Sequence, residues 1–289
     1  MYHKTKGYKL FSWFNYALLI LAGLSCFLPL LHLLAQSFSS KAAITGNLVS
    51  FWPVGFNTDA YSTTFNNDNF TGSMMISIIR TILGTAISMF ILTTAGYALS
   101  KQFRGRNVLM WVFVFTMLFN GGLIPSYILV TSLGMKGTIW ALVLPGAFGA
   151  YNLILLMNFF KTIPKALEEA AFIDGASFFV IFRSVYLPLS LPGLATVSLF
   201  IMVGHWNSWF DGLLYMSNPA DYPLASFLQT VVVQSNAQSM AMSQSEVEAM
   251  AEQSIKAAQI FISTLPIILV YPFLQRYFVK GIVLGAVKE

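Results

Sequence analysis

Six apolar runs, each long enough to form a membrane-crossing helix, dominate the chain: Trp13–Ala35, Met74–Leu99, Val108–Val130, Ile139–Phe160, Leu191–Tyr215 and Ala257–Phe278. At 1.5 Å rise per residue, about 20 residues cross roughly 30 Å of hydrocarbon. Backbone amides in lipid must be satisfied within their own segment, so the runs predict an all-α integral membrane protein with six transmembrane helices, a single transmembrane domain over residues 1–289. Composition agrees, since only 9% of the 289 residues are charged. A soluble domain carries about 25%. Collagen-like, coiled-coil, disordered and nucleic-acid-binding classes are excluded on the same ground, because each needs glycine periodicity, heptads or dense charge. The one cysteine, Cys26, lies inside the first run, so the chain can form neither a disulfide framework nor a thiolate metal site. Lys4, Lys6 and Lys9 precede that run, but its apolar length is about twice that of a signal peptide, which predicts a retained anchor. Prolines at 29, 125, 145, 266 and 272 predict kinks, either around a cavity or from ordinary packing.

Basic residues orient the runs. With the N-terminus inside, Lys4, Lys6, Lys9, Lys101, Arg104, Arg106, Lys161, Lys165, Arg183, Arg276, Lys280 and Lys288 are cytoplasmic, twelve of the sixteen Lys and Arg. Lys41, Lys136 and Lys256 fall outside, while Arg80 lies in the second run and is expected to snorkel to the outer boundary. Twelve against three predicts that both termini are cytoplasmic. Residues 37–72 and 216–256 then form outer loops. The first contains Phe51–Phe56 (FWPVGF) and Tyr61, which suit an interfacial aromatic belt or a docking surface. The second contains Gln234–Ala251, rich in Ser, Gln and Met, and the acids Glu246, Glu248 and Glu252; it reads as a solvated helix or mobile segment.

Residues 161–190 form the long cytoplasmic loop. Ile163-Pro164 favours a helix start, so Lys165–Ile173 is expected to be helical, with Ala166, Ala170 and Ala171 on a small-residue face. Asp174-Gly175 signals the turn that closes it, Ser177–Tyr186 reads as a second amphipathic helix, and Leu187-Pro188 ends that helix.

The spacing Glu169-Ala170-Ala171, three residues, Gly175, nine residues, Val185, one residue, Leu187-Pro188 resembles the EAA motif of ABC importer permeases. Val185 stands where that motif has isoleucine. Asp174, Pro192, Phe119-Asn120-Gly121-Gly122, Trp206-Asn207 and the tail from Lys280 to Lys288 are similar to the carbohydrate branch, which includes the permeases for oligosaccharides and Gram-positive polysaccharide fragments. The resemblance covers essentially the whole chain. It implies a transport subunit without its own nucleotide site, in a bacterial, Gram-positive plasma membrane. Its expected partners are a second homologous permease, two ATPase subunits that bind ATP and Mg, an extracellular solute-binding protein and an oligosaccharide, with no nucleic acid. It implies that Glu169, Ala170, Ala171, Asp174, Gly175, Leu187 and Pro188 couple the spans to the ATPase.

No G-x-x-x-x-G-K-[ST], G-x-S-x-G or H-E-x-x-H sequence occurs, and His3, His32 and His205 are too scattered in sequence to suggest a metal site. Candidate pathway residues are the amides Asn120 and Asn152 near mid-span and the cluster Trp206, Asn207 and Trp209 beside His205. Polar groups at membrane depth usually face the bundle interior; helix–helix hydrogen bonding and interfacial anchoring are the competing roles. In one continuous helix Trp206 and Trp209 share a face, with Asn207 about 100° away. A permease for a peptide or polyamine is the alternative of the same fold. An ion-coupled carrier is disfavoured, because Asp211 is the only acid in the six runs.

Overall fold

The computed structural model describes residues 5–240 and 253–272, and all its regular elements are helical. These residues belong to two compact units, one made of 5–71, 228–240 and 253–265, the other of 72–227 and 266–272.

In the first unit, α1 (Lys6–Ser37) is followed by α2 (Lys41–Thr45) and α3 (Asp59–Phe65). Helix α1 is 32 residues long and apolar enough to span a bilayer. The connection after it is folded upon itself. Phe38 stacks on Phe56 and Tyr61 at centroid distances of 5.4 and 4.6 Å, and the Tyr61 hydroxyl lies 2.8 Å from that of Ser37. Ser39 accepts the Val54 N–H, while Ala35, Ala43, Ile44 and Val49 make a small core. The FWPVGF loop therefore has a fixed shape, yet Trp52 remains 82% exposed.

The second unit carries most of α4 (Asp68–Ser100), a 33-residue helix that is also long and apolar enough to cross a membrane. After it come α5 (Arg106–Leu118), α6 (Leu123–Ser132), α7 (Ile139–Val143), α8 (Ala150–Lys161), α9 (Lys165–Ile173) and α10 (Phe178–Ile181). A π-helical turn at Phe182–Tyr186 leads through α11 (Leu187–Leu189) to α12 (Leu191–Asn207) and α13 (Phe210–Tyr215). Leu224–Met240 forms α14, and Gln253–Pro272, a third helix of spanning length and hydropathy, forms α15. Gln234–Ala251 thus continues as helix to Met240, and the rest of it, with Glu246, Glu248, Glu252 and the Lys280–Lys288 tail, lies outside the described residues.

Three of the apolar runs are not continuous helices. The third is broken between α5 and α6, which are bent by 110°. Asn120 accepts the Gly122 N–H at 2.9 Å there, offering the backbone a local alternative to the helical bond. The fourth divides into α7 and α8, of 5 and 12 residues, around Pro145, Gly146 and Gly149. The fifth ends its long helix at Asn207 and resumes as α13 at Phe210. A break at such depth frees carbonyls that lipid cannot satisfy. Arg80 meets one of them, its Nη1 donating to the Ser208 carbonyl at 2.9 Å.

Candidate functional site

Two regions of the second unit bring the sequence candidates into definite surroundings: the loop of residues 161–190 and a cavity among α4, α7, α8, α12 and α13.

The loop begins as its sequence predicts. Pro164 precedes α9, which covers Lys165–Ile173, and Gly175 has φ +80°, a left-handed conformation that closes a helix at little cost only for glycine. The second helix runs past its expected end: it is continuous from Phe178 to Leu189, so Leu187-Pro188 does not stop it, because a proline in the last turns needs no donor beyond those the π-helical turn already rearranges. It is α-helical over Phe178–Ile181, capped by the Ser177 hydroxyl on the Val180 N–H, and π-helical over Phe182–Tyr186. The wider turn lets Ile181 and Tyr186 both be buried, in one cluster with Leu92, Leu153, Phe160 and Val197. The loop is thereby packed into the bodies of α4, α8 and α12.

The two adjacent glutamates behave differently. Glu168 is turned inward: Lys101 at the end of α4 forms an ion pair with it at 2.5 Å, and the Tyr186 hydroxyl donates to it at 2.7 Å. Burial pushes the Glu168 carboxyl up, but the bonds from Lys101 and Tyr186 and the charges of Lys101 and Lys165 outweigh it, so its pKa lies below the ordinary value. The same environment, burial first and then the bond to Glu168, pushes the Tyr186 phenol far up. Lys101 also sits over the Tyr186 and Tyr97 rings, at 4.0 and 4.6 Å. Glu169, Ala170, Asp174 and Gly175 are exposed, with Ala171 and Leu187 partly buried and Pro188 exposed. Phe172, one turn after Glu169, is exposed and packs edge-on against the exposed Phe178 at 5.0 Å, and Ile173 is 87% exposed. Sequence reasoning singled out Glu169 and missed Glu168; a lysine ending the second run was the available signal.

The cavity, of about 420 Å³, is lined on its polar side by Arg80, Asn152, His205, Ser208 and Asp211. Arg80 does not snorkel. It is 2% exposed and ion-paired to Asp211. A guanidinium with a carboxylate and a freed helix carbonyl within reach needs no interface to solvate it. The other Asp211 oxygen accepts the Ser208 hydroxyl and the Gly212 N–H, each at 2.9 Å. His205 is buried against Gly84 of α4, where a Cβ would run into the imidazole.

Of the pathway candidates, Asn152 lines this cavity. Trp206 is buried and lines a different, apolar groove of about 170 Å³ with Ile78, Leu199, Pro266 and Val270. Asn207 and Trp209 are exposed, as is Asn120 in the α5–α6 break. Trp206 and Trp209 do not share a helical face, because α12 ends between them and Ser208 is extended. Sequence reasoning recorded Arg80 and Asp211 separately and did not pair them, although they are opposite charges in two apolar runs.

A family model described as a binding-protein-dependent transport system inner membrane component matches residues 93–284. The chain is 42% identical over 282 residues to the polygalacturonan/rhamnogalacturonan transport system permease protein YtcP of Bacillus subtilis (strain 168), covering 97% of this chain and 99% of that one. It is equally identical over 287 residues to protein LplC of the same organism, covering 99% and 97%. Among solved structures it is similar, with a TM-score of 0.84 and 30% identity, to a chain of a bacterial ABC transporter involved in the import of the acidic polysaccharide alginate, covering 96% of this chain and 100% of that one. With the family model matching residues 93–284, well over half of its length, and relatives aligned almost from end to end, this chain belongs to the binding-protein-dependent transport system inner membrane components, the permease subunits of ABC importers.

Proposed function

We propose that this permease carries saccharide chains, fragments of a plant-type or other acidic polysaccharide, inward across a Gram-positive plasma membrane. Identity of 42% to a polygalacturonan/rhamnogalacturonan permease along 97% of the chain carries the substrate class. The chain crosses the bilayer six times with both termini inside, and its third, fourth and fifth crossings are the broken ones. It pairs with a second homologous permease, receives substrate from an extracellular binding protein and takes its energy from two ATPase subunits holding ATP and Mg.

Docking of the ATPase falls to the exposed side of α9 and its turn. Glu169 and Asp174 are exposed and form no ion pair among the described residues, and Phe172, Ile173 and Phe178 add exposed apolar surface to the same loop. Arg and Lys of a partner groove would meet those carboxylates in charge-assisted bonds, worth about 1.5–3 kcal/mol each. Motion of the ATPases then becomes motion of the spans through Ile181 and Tyr186, which are rooted in the core.

The test is co-purification and uptake. Glu169→Lys should leave the permease in the membrane but reduce ATPase retention roughly ten- to a hundredfold. Gly175→Val should do similar damage by straining the left-handed turn. Normal assembly and normal uptake of oligogalacturonides in both variants would overturn the coupling role.

A further inference from the structure

The cavity around Arg80 has walls of two kinds. Leu142, Pro145, Phe200 and Ile201 are apolar, and facing them stand the polar groups of Arg80, Asn152, His205 and Asp211. Apolar walls, a few convergent polar groups and a volume of several hundred Å³ are the composition of a small-molecule site.

The hydrogen-bond inventory points to a ligand type. Arg80 commits one N–H of Nη1 to the Ser208 carbonyl and one of Nη2 to Asp211. A guanidinium carries five donors, so each terminal nitrogen keeps one more. The Asp211 oxygen facing Arg80 keeps an acceptor site, while the other oxygen already accepts two bonds. Among the described residues, the Asn152 amide and the His205 imidazole line the cavity without a hydrogen-bond partner. Donor and acceptor thus stand side by side in the ion pair, flanked by an amide and an imidazole.

Charge decides between ligand classes. Arg80 and Asp211 cancel one another, so an anionic group entering the cavity gains little from the guanidinium and meets a carboxylate. Adjacent hydroxyls, each able to donate and accept, fit the pair without charge. A ring face of C–H groups fits Phe200. We propose that this cavity takes one sugar ring of the transported chain by its hydroxyl edge, held by the Arg80–Asp211 pair, Asn152 and His205, with any carboxylate of the sugar directed away. This rests on the saccharide reading given above.

Thiol protection tests it in the complete importer, reconstituted in proteoliposomes with its binding protein and ATPases. Gly146→Cys, which lines the cavity where a side chain has room and holds no part of the sugar, is treated in a Cys26→Ser background with a small methanethiosulfonate during turnover. Trigalacturonate and its methyl ester are the probes, since they share hydroxyls and differ in charge. At a concentration that fills four-fifths of the sites, each should slow modification about fivefold. Gly204→Cys lines the same cavity, with open space for a side chain, and gives the same readout should Gly146→Cys fail to assemble. Unaltered reactivity at both positions while uptake proceeds would overturn the inference and leave the saccharide function standing. Protection by the charged probe alone would overturn the hydroxyl-edge recognition. If the unsubstituted importer moves neither saccharide, the proposed function falls, and this inference with it.

Discussion

Adjacent glutamates on α9 show how little separation in sequence two roles require. One residue is about 100° of helix, enough to turn Glu168 to Lys101 and Tyr186 while Glu169 faces out. Glu168→Gln keeps the shape and removes the charge, and should lower stability by about 1 kcal/mol, the pair being partly exposed. The pH dependence has a definite sign. A carboxyl whose folded pKa is depressed gives its full stabilisation above the unfolded value, and loses it as pH falls through the folded one. The melting difference between parent and Glu168→Gln should therefore be complete at pH 7 and shrink only below 4.5. An undiminished difference at lower pH would show that the charge is not the cause. The Arg80–Asp211 pair is a harsher case because Arg80 is deeply buried. Arg80→Leu strands the carboxylate and should cost about 3 kcal/mol, somewhat less than for a fully buried partner, as Asp211 retains some exposure. The double variant Arg80→Leu/Asp211→Leu should recover much of that loss. Thermal melting of the four proteins in a double-mutant cycle reads the difference, and a double variant as damaged as the two singles summed would deny the coupling.

At the scale of elements, the sequence told most where chemistry acts locally. Pro164, Asp174 and Gly175 set the bounds of α9, because a missing donor and a left-handed turn have few solutions. The interruptions of the third, fourth and fifth runs were not legible. Gly121-Gly122 and Pro145-Gly146 are tolerated inside membrane helices as well as at breaks, and the deciding partners, such as Arg80 on the Ser208 carbonyl, come from 128 residues away in the chain. Distant partners also hide a close helix contact. Gly84 admits the ring of His205 from α12, and nothing in the residues around Gly84 announces it. Gly84→Ala should overpack this crossing by about 1–3 kcal/mol. Combining it with His205→Ala should return the melting temperature toward that of His205→Ala alone; failure to do so would mean that the cost arises elsewhere on α4.

For the whole molecule, hydropathy and the low charged fraction were enough to set the class, since both are sums over many residues and tolerate local error. They carry no information on what the connecting loops touch. Topology is the property open to direct measurement. In a Cys26→Ser background, Ser177→Cys should resist a membrane-impermeant thiol reagent added to intact cells and react once the membrane is opened. Efficient labelling from outside would reverse the orientation of the loop at 161–190. The candidate cavity was legible only in pieces, as one Asn, one His and two lone charges. Their convergence depends on the α12–α13 break, which no periodicity records.

The bend between Phe178–Leu189 and Leu191–Asn207 measures 79°. The cosine of that angle means that roughly a fifth of any push along the first segment is delivered along the axis of the second; the remainder acts sideways on its end. A force applied at α10 therefore has a short arm and a long one, with Ser190 at the elbow and buried Ile181 and Tyr186 as the bearing. Such linkage is poor at sliding a helix through the membrane like a piston and efficient at tipping it. Small displacements at α10 would be magnified at the far end of α12, beside the Ser208 break.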